Sequence, residues 1–302
     1  MGAPDSITVR VPGSTSNCGS GFDTLGLALQ IYNRVSLTRI SGGDRPVPAG
    51  TAGAAQGLVE AGAAAFFKKV GLAPFGFSFR LGGDVPRGRG LGSSATVHAG
   101  VIAGLNALTR AGLSPRQVVE LVVAFEGHPD NAAPAVWGGF CVVRTSPVTG
   151  AFLDCVRIAV QRELLFVVVA PAAEIRTKES RGVLPRTLPF FDAVKSINAA
   201  AFLVAAFATG DHAKLKHAVA DFMHEPYRLP GIPGGRAAID AGVAAGAFTG
   251  WLSGSGSSVL CVCEPAKAPA VRRAMEAAMD GAGVARQQSW SVAADNDGLV
   301  LE

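Results

Sequence analysis

No C-x-x-C pair occurs in the chain, and its cysteines number five: Cys18, Cys141, Cys155, Cys261 and Cys263. An odd count without that spacing leaves buried free thiols in a reducing compartment as the expectation. Charge is scarce as well. Only 17% of the 302 residues are charged against 49% apolar, which excludes disorder as the main state. The net charge of +4 is small and its carriers are scattered, so no nucleic-acid footprint is present. Met1 leads directly into Gly2-Ala3-Pro4-Asp5, with no basic and then apolar stretch, so no secretory signal is expected. Two uncharged stretches, 90–109 and 241–263, reach membrane-spanning length. Both are broken by glycines and paired serines, and both are read as buried segments of a soluble, cytoplasmic protein. Repeats of fixed period and low-complexity linkers are missing.

What is abundant is small. The 51 alanines and 38 glycines imply close-packed helices and many backbone contacts. Alternation predicts strands over 7–11, 35–40 and 75–81, and strand-like runs follow at 140–144 and 164–170. Helices are expected over 52–70, from the glycine turn at 88–92 to about 110, and over 193–208, 213–222, 236–245 and 267–279. Ser114-Pro115-Arg116-Gln117 opens another, with a capping serine, proline in the first position and glutamine completing a capping box. Strands are expected at 251–253 and 259–264, and Cys261 and Cys263 alternate on one face of the latter. The mixed order argues for an α+β fold. A composition shift near 155–165 divides the chain into an N-terminal domain, 1–160, and a C-terminal domain, 161–302.

The most informative stretch is Pro86-Arg87-Gly88-Arg89-Gly90-Leu91-Gly92-Ser93-Ser94-Ala95-Thr96. Alternate glycines let the backbone approach a ligand, and the helix that follows offers free N–H groups and its dipole to an anion. A polyphosphate is the obvious ligand, and a flexible strand-to-helix turn is the alternative. It is neither a Walker A loop, since no Gly-Lys-Ser/Thr exists, nor a Rossmann fingerprint, since Ser93 stands where the third glycine belongs. In the next helix every residue from Val118 to Phe125 is apolar except Glu120. Such a helix reads as buried, and a buried carboxylate needs a metal ion or a basic side chain.

Three further clusters stand out: Asn17 and Asp23 in a small polar segment, Glu126-Gly127-His128-Pro129-Asp130-Asn131-Ala132-Ala133-Pro134, and Ser253-Gly254-Ser255-Gly256-Ser257-Ser258. With the glycine loop, these resemble in order the motifs of the GHMP small-molecule kinases. Thr177-Lys178-Glu179-Ser180-Arg181 and Glu225-Pro226-Tyr227-Arg228 are similar to segments of the homoserine kinases within that superfamily. The resemblance implies two domains, a ribosomal-protein S5 type N-terminal domain and a ferredoxin-like C-terminal one. It implies ATP on the loop Pro86–Thr96, Mg²⁺ on Ser94 and Glu120, and an amino-acid substrate among Asn17, Asp23, His128, Asp130, Asn131, Thr177, Arg181 and Arg228. Ser94, Glu120 and Asn131 would serve catalysis, and a homodimer is common in such enzymes. The implied reaction is ATP-dependent phosphorylation of the L-homoserine hydroxyl, on the route to threonine. An α-carboxylate suits two arginines, and an α-ammonium suits Asp23 and Asp130. Two alternatives are a sister kinase acting on another small alcohol, against which both arginines argue, and a non-catalytic ligand-binding member. Departures from the pattern are Ser255 and Ser257 for Ala and Pro, Gly231 for a leucine, and Gln56 where an asparagine is frequent.

Overall fold

A bent hairpin of two long strands organises the first half of the chain. β1 (Ser6–Ser16) and β2 (Leu25–Arg39) pair antiparallel from Ser6↔Thr38 to Ser16↔Gly26, with a bulge where Pro12 faces Tyr32 and Gly13 faces Leu29. The coordinates are a computed structural model and describe residues 4–50, 52–284 and 287–302, so the Met1-Gly2-Ala3 lead lies outside them. β3 (Pro46–Pro48), α1 (Gln56–Val70), β4 (Phe77–Gly83), α2 (Ser93–Thr109), α3 (Pro115–Glu126), α4 (Ala132–Trp137), β5 (Phe140–Thr145) and β6 (Phe152–Ile158) follow. The second half contributes β7 (Leu165–Pro171), α5 (Thr177–Gly182), α6 (Phe190–Thr209), α7 (Glu225–Arg228), α8 (Gly235–Ala244), β8 (Thr249–Leu252), β9 (Val259–Cys263), α9 (Ala268–Gly281), β10 (Gln287–Val292) and β11 (Val300–Leu301).

Two sheets result. The first has seven strands, ordered β11-β1-β2-β4-β3, with β5 on the first residues of β2 and β6 on β5. The second has four, ordered β10-β7-β9-β8, all antiparallel. Residues 6–158 supply six strands of the first sheet, 165–292 supply all of the second, and β11 returns to the edge of β1. A shared core of Leu25, Leu27, Leu29 and Phe140 against Phe166, Val168, Trp251 and Leu260 joins them. The Trp251 indole donates to Thr15 Oγ1 at 3.0 Å across this junction.

Two of the expected elements differ in the structure. β2 begins ten residues before position 35, because 25–29 is buried on both faces and so shows no polar alternation. The helix expected over 213–222 is a 3-10 turn, His212–His217. It stops there because the Asp221 carboxylate accepts the N–H groups of Met223, His224 and Glu225, capping α7 instead. The stretch 90–109 is the buried α2, as expected. Among the described residues, the one helix long and apolar enough to cross a membrane is α6, which lies in neither of the two uncharged stretches. One face of α6 is anchored in the core by Leu203 and Phe207, the latter stacked on Phe140 with centroids 4.5 Å apart.

α2 lies close on the first sheet because its glycines permit it. A Cβ on Gly100 would collide with Val35, and one on Gly104 would stand 2.7 Å from Leu37. This contact aims the N-terminus of α2 at the junction of the two sheets.

Candidate active site

At that junction lies a cavity of about 310 Å³. Its first wall is the glycine loop. Gly88, Gly90 and Gly92 all have left-handed backbones, φ 63°, 71° and 68°. At Gly90 a side chain is excluded outright, since a Cβ would run into the Ser253 carbonyl. The loop is tied to the second half of the chain. Ser253 Oγ donates to the Gly90 carbonyl at 2.7 Å, the Ser258 N–H to the Arg89 carbonyl at 3.2 Å, and the Ile175 N–H to the Gly88 carbonyl at 2.9 Å. Arg89 donates to the Pro171 carbonyl at 2.6 Å. No side chain caps α2, so its first-turn N–H groups and positive dipole end face the cavity at Ser93 and Ser94. Of the loop residues named from sequence, Gly88, Arg89, Gly90, Gly92, Ser93 and Ser94 line the cavity. Leu91, Ala95 and Thr96 are buried beneath it and shape the loop, and Thr96 accepts from Asn33 Nδ2 at 2.8 Å. Arg87 lies on a second cavity, which also contains Leu58, Leu81, Val85 and Val97 and meets the first at Ser93. Pro86 lines neither.

The opposite wall is charged. The β1–β2 loop carries Asn17 and Asp23 with φ of 67° and 54°, a strained geometry held by two hydrogen bonds of Asn17. Asn17 Nδ2 donates to the Gly254 carbonyl and its Oδ1 accepts the Asp23 N–H, both at 3.1 Å. Asp23 meets Arg181 of α5 in a two-armed ion pair. Thr177, one turn earlier on α5, also faces the cavity. Arg228 of α7 is 6% exposed and donates to the carbonyls of Ser180 and Gly254. Both guanidiniums flank the Phe22 ring, at 5.3 and 5.1 Å. Burial and the neighbouring Arg181 charge pull the Arg228 pKa down to about 10, which leaves it cationic at neutral pH.

The turn between α3 and α4 forms the floor. His128 Nδ1 is 2.8 Å from Asp130 Oδ1. Burial opposes the imidazolium, but the Asp130 hydrogen bond and the charges of Asp130, Asp23 and Glu126 outweigh it and raise the His128 pKa. Asp23, His128 and Asp130 gather their ligand atoms within 4.8 Å of one another, and the two carboxylates among them suit an ammonium. Asn131 is fixed from both sides. Ser14 Oγ donates to its Oδ1 at 2.9 Å, and its Nδ2 donates to Ser16 Oγ at 3.1 Å.

Glu120 is the correction. Its side chain is 37% exposed and paired with Arg116 one turn away, outside the cavity. The carboxylate that reaches the cavity is Glu126, at the end of the same helix and 13% exposed. Burial pushes its pKa up, but hydrogen bonds from His98 and Ser94 prevail, and the group is a stronger acid than usual. Periodicity contained the signal. Val119, Val122 and Val123 are buried, and Glu126 lies seven, four and three positions on, whereas Glu120 lies off that face. Other lining residues the sequence reading left without a role are Ser16, Phe22, Glu174, Ile175 and Arg176.

The profile of the GHMP kinases N-terminal domain matches residues 57–139, and that of the GHMP kinases C-terminal domain matches 203–281. The chain belongs to the GHMP kinase family. Homoserine kinase from Moorella thermoacetica is 39% identical to this GHMP kinase over 91% of the chain and 93% of its own length. Homoserine kinase from Synechococcus sp. (strain CC9605) is 38% identical over 92% and 90%. Among solved structures, homoserine kinase from Cytophaga hutchinsonii superposes with a TM-score of 0.90 at 26% identity, covering 100% of this chain and 99% of that one. Mevalonate kinase from L. major, at a TM-score of 0.72 and 14% identity over 95% of each chain, shares the fold. The two-sheet α+β architecture is thus the GHMP kinase fold.

Proposed function

We propose that this GHMP kinase transfers the γ-phosphoryl group of ATP to the side-chain hydroxyl of L-homoserine, giving O-phospho-L-homoserine on the route to threonine. The observation that carries the reading is one cavity with an anion-binding helix start on one wall, Arg181, Arg228 and Asp23 on the other, and Asp130 on the floor between them. The match to homoserine kinases over more than nine-tenths of the chain supports it.

The glycine loop and the first N–H groups of α2 bind the polyphosphate, and the second cavity beside Ser93 receives the adenine. Arg228, aided by Arg181, grips the α-carboxylate, while Asp23 and Asp130 take the ammonium. Asn17, Thr177 and His128 fix the substrate between them. Its hydroxyl is thereby aimed at the α2 N-terminus, beside Asn131 and Ser94. Phosphoryl transfer needs chiefly this positioning and charge neutralisation. The hydroxyl oxygen bonds to the γ-phosphorus as the bond to the ADP oxygen breaks. No lysine is among the described residues lining the cavity, and Asn131 cannot accept a proton. In this reading Asp23 and Asp130 are taken up by the ammonium, Arg181 and His128, and Glu126 by the cation, so the hydroxyl proton passes to an oxygen of the transferred phosphoryl group.

The Mg²⁺ of such kinases fits the Ser94 hydroxyl and the ionised Glu126 carboxylate, two hard oxygen donors side by side at the helix start. When bound there it adds neutralisation of phosphate charge. The five unpaired thiols suit the reducing cytoplasm. A second copy of the chain is the proposed partner, supported by the exposed apolar line of Phe190, Val194 and Ile197 along α6. The test of the activity is ADP release with homoserine, serine, threonine and mevalonate side by side. Preference for homoserine is expected, and equal turnover of mevalonate would overturn it.

A further inference from the structure

His98 projects from α2 into its contact with α3 and is 4% exposed. The ring stacks on Phe125, with centroids 4.8 Å apart and planes at 25°. Nδ1 lies 3.0 Å from Glu126 Oε1. Nε2 is buried and has no hydrogen-bond partner. The surroundings are those of a helix core, with Gly62 of α1 packed alongside. An aliphatic side chain would fill such a place without leaving a buried nitrogen unpaired, a deficit that native cores seldom carry. What the histidine gains over an aliphatic residue is the bond to Glu126.

We infer that His98 is a positioning residue that holds the Glu126 carboxylate toward Ser94 at the start of α2. The inference rests on the proposed function, in which Glu126 and Ser94 hold the divalent cation. Stacking on Phe125 fixes the ring plane, so the Nδ1–H points in one direction. With one carboxylate oxygen engaged by this donor, the rotamer of Glu126 is set before nucleotide arrives. Orientation of metal-binding carboxylates by an outer donor is a general device, and its loss typically weakens the site 10- to 100-fold.

The test uses the full chain with Mn²⁺ and a non-hydrolysable ATP analogue, reading free Mn²⁺ by electron paramagnetic resonance. His98→Phe keeps the stacking and removes the donor, and Mn²⁺ affinity should fall about tenfold or more. His98→Asn places an amide donor where Nδ1 stood, and should hold Mn²⁺ within about threefold of wild type by the same reasoning. Homoserine affinity by calorimetry should not move in either. If His98→Phe does not fold, His98→Ala against His98→Asn carries the same comparison. Wild-type Mn²⁺ affinity in the donor-less variant would overturn the inference, as would equal losses in the donor-less and asparagine variants. Glu126→Gln run in parallel separates the two readings. An unchanged Mn²⁺ affinity there removes Glu126 from the cation site, whereas a loss there with none in His98→Phe removes only the role of His98.

Discussion

Asp23 and Arg181, 158 positions apart in sequence, hold each other through two hydrogen bonds, 3.0 Å from Nη1 to Oδ2 and 2.6 Å from Nη2 to Oδ1. The pair closes one side of the cavity and leaves the two arginines unequal. Arg181 already faces a carboxylate. Arg228 is more deeply buried, and its bonds go to neutral carbonyls. An incoming α-carboxylate finds its least compensated positive charge at Arg228.

Arg228→Ala should therefore raise the homoserine KM more than Arg181→Ala. A desolvated carboxylate left unpaired costs roughly 2–4 kcal/mol, or about 30- to 1,000-fold in affinity. Arg228→Lys should rescue only in part, because the planar fork is lost. Steady-state kinetics with homoserine and with an analogue lacking the carboxylate checks this. Undiminished discrimination in both alanine variants would place the carboxylate elsewhere.

The two glutamates of α3 give opposite expectations. Glu126→Gln should lower kcat by on the order of 10²-fold and raise the Mg²⁺ concentration needed for half-maximal rate. Glu120→Gln loses only an exposed pair with Arg116 and should match wild type within experimental error. A magnesium titration of both variants decides, and the reverse order of effects would restore Glu120.

Gly90→Ala meets a carbonyl oxygen and needs a left-handed backbone. It should destabilise the protein by about 1–3 kcal/mol through strain at this site alone. Nucleotide affinity should fall more than homoserine affinity, because the proposed function puts the phosphates on this loop. Thermal unfolding with calorimetric titration of each ligand tests both parts.

Glu225 supplies a pH dependence. Burial lifts its pKa from 4.5 to about 7, against the opposing Leu252 N–H bond and Arg236. A carboxyl whose folded pKa is raised binds its proton more tightly when folded. Its contribution is complete below pH 4.5 and is lost as pH rises to 7, on the order of 3 kcal/mol in all. Glu225→Gln keeps the acceptor for Leu252 and should flatten stability over that window. Urea midpoints at pH 5 and pH 8 should differ less in the variant than in wild type.

Local chemistry was plain in the sequence, and facing directions were harder to read. The capping box at Ser114 and Gln117 is present as expected, with both reciprocal bonds. The glycine loop ends where α2 begins, and Asn17, Asp23, His128, Asp130, Asn131, Thr177, Arg181 and Arg228 all line one cavity. A helix this rich in valine reads as buried all round, but only the face of Val118, Val119, Val122 and Val123 is covered, and Glu120 lies off it. The start of β2 was missed for the converse reason. Gly26 lies so close to the Asp130 carbonyl that a Cβ would collide with it, and 25–29 is buried on both faces. His98 gave no signal, because its partner is decided by how α2 packs on α3.

β11 has a consequence for the order of assembly. It pairs with Val9 and Arg10, and the Glu302 N–H and the Thr8 carbonyl bond at 2.8 Å beyond it. During synthesis the N-terminal half emerges first and can collapse around α2, yet its β1 edge stays open until the whole second sheet has left the ribosome. An open edge is a template for pairing with other chains. The last strand thus acts as a latch on the first, and nascent chains released short of it leave that part of the β1 edge open.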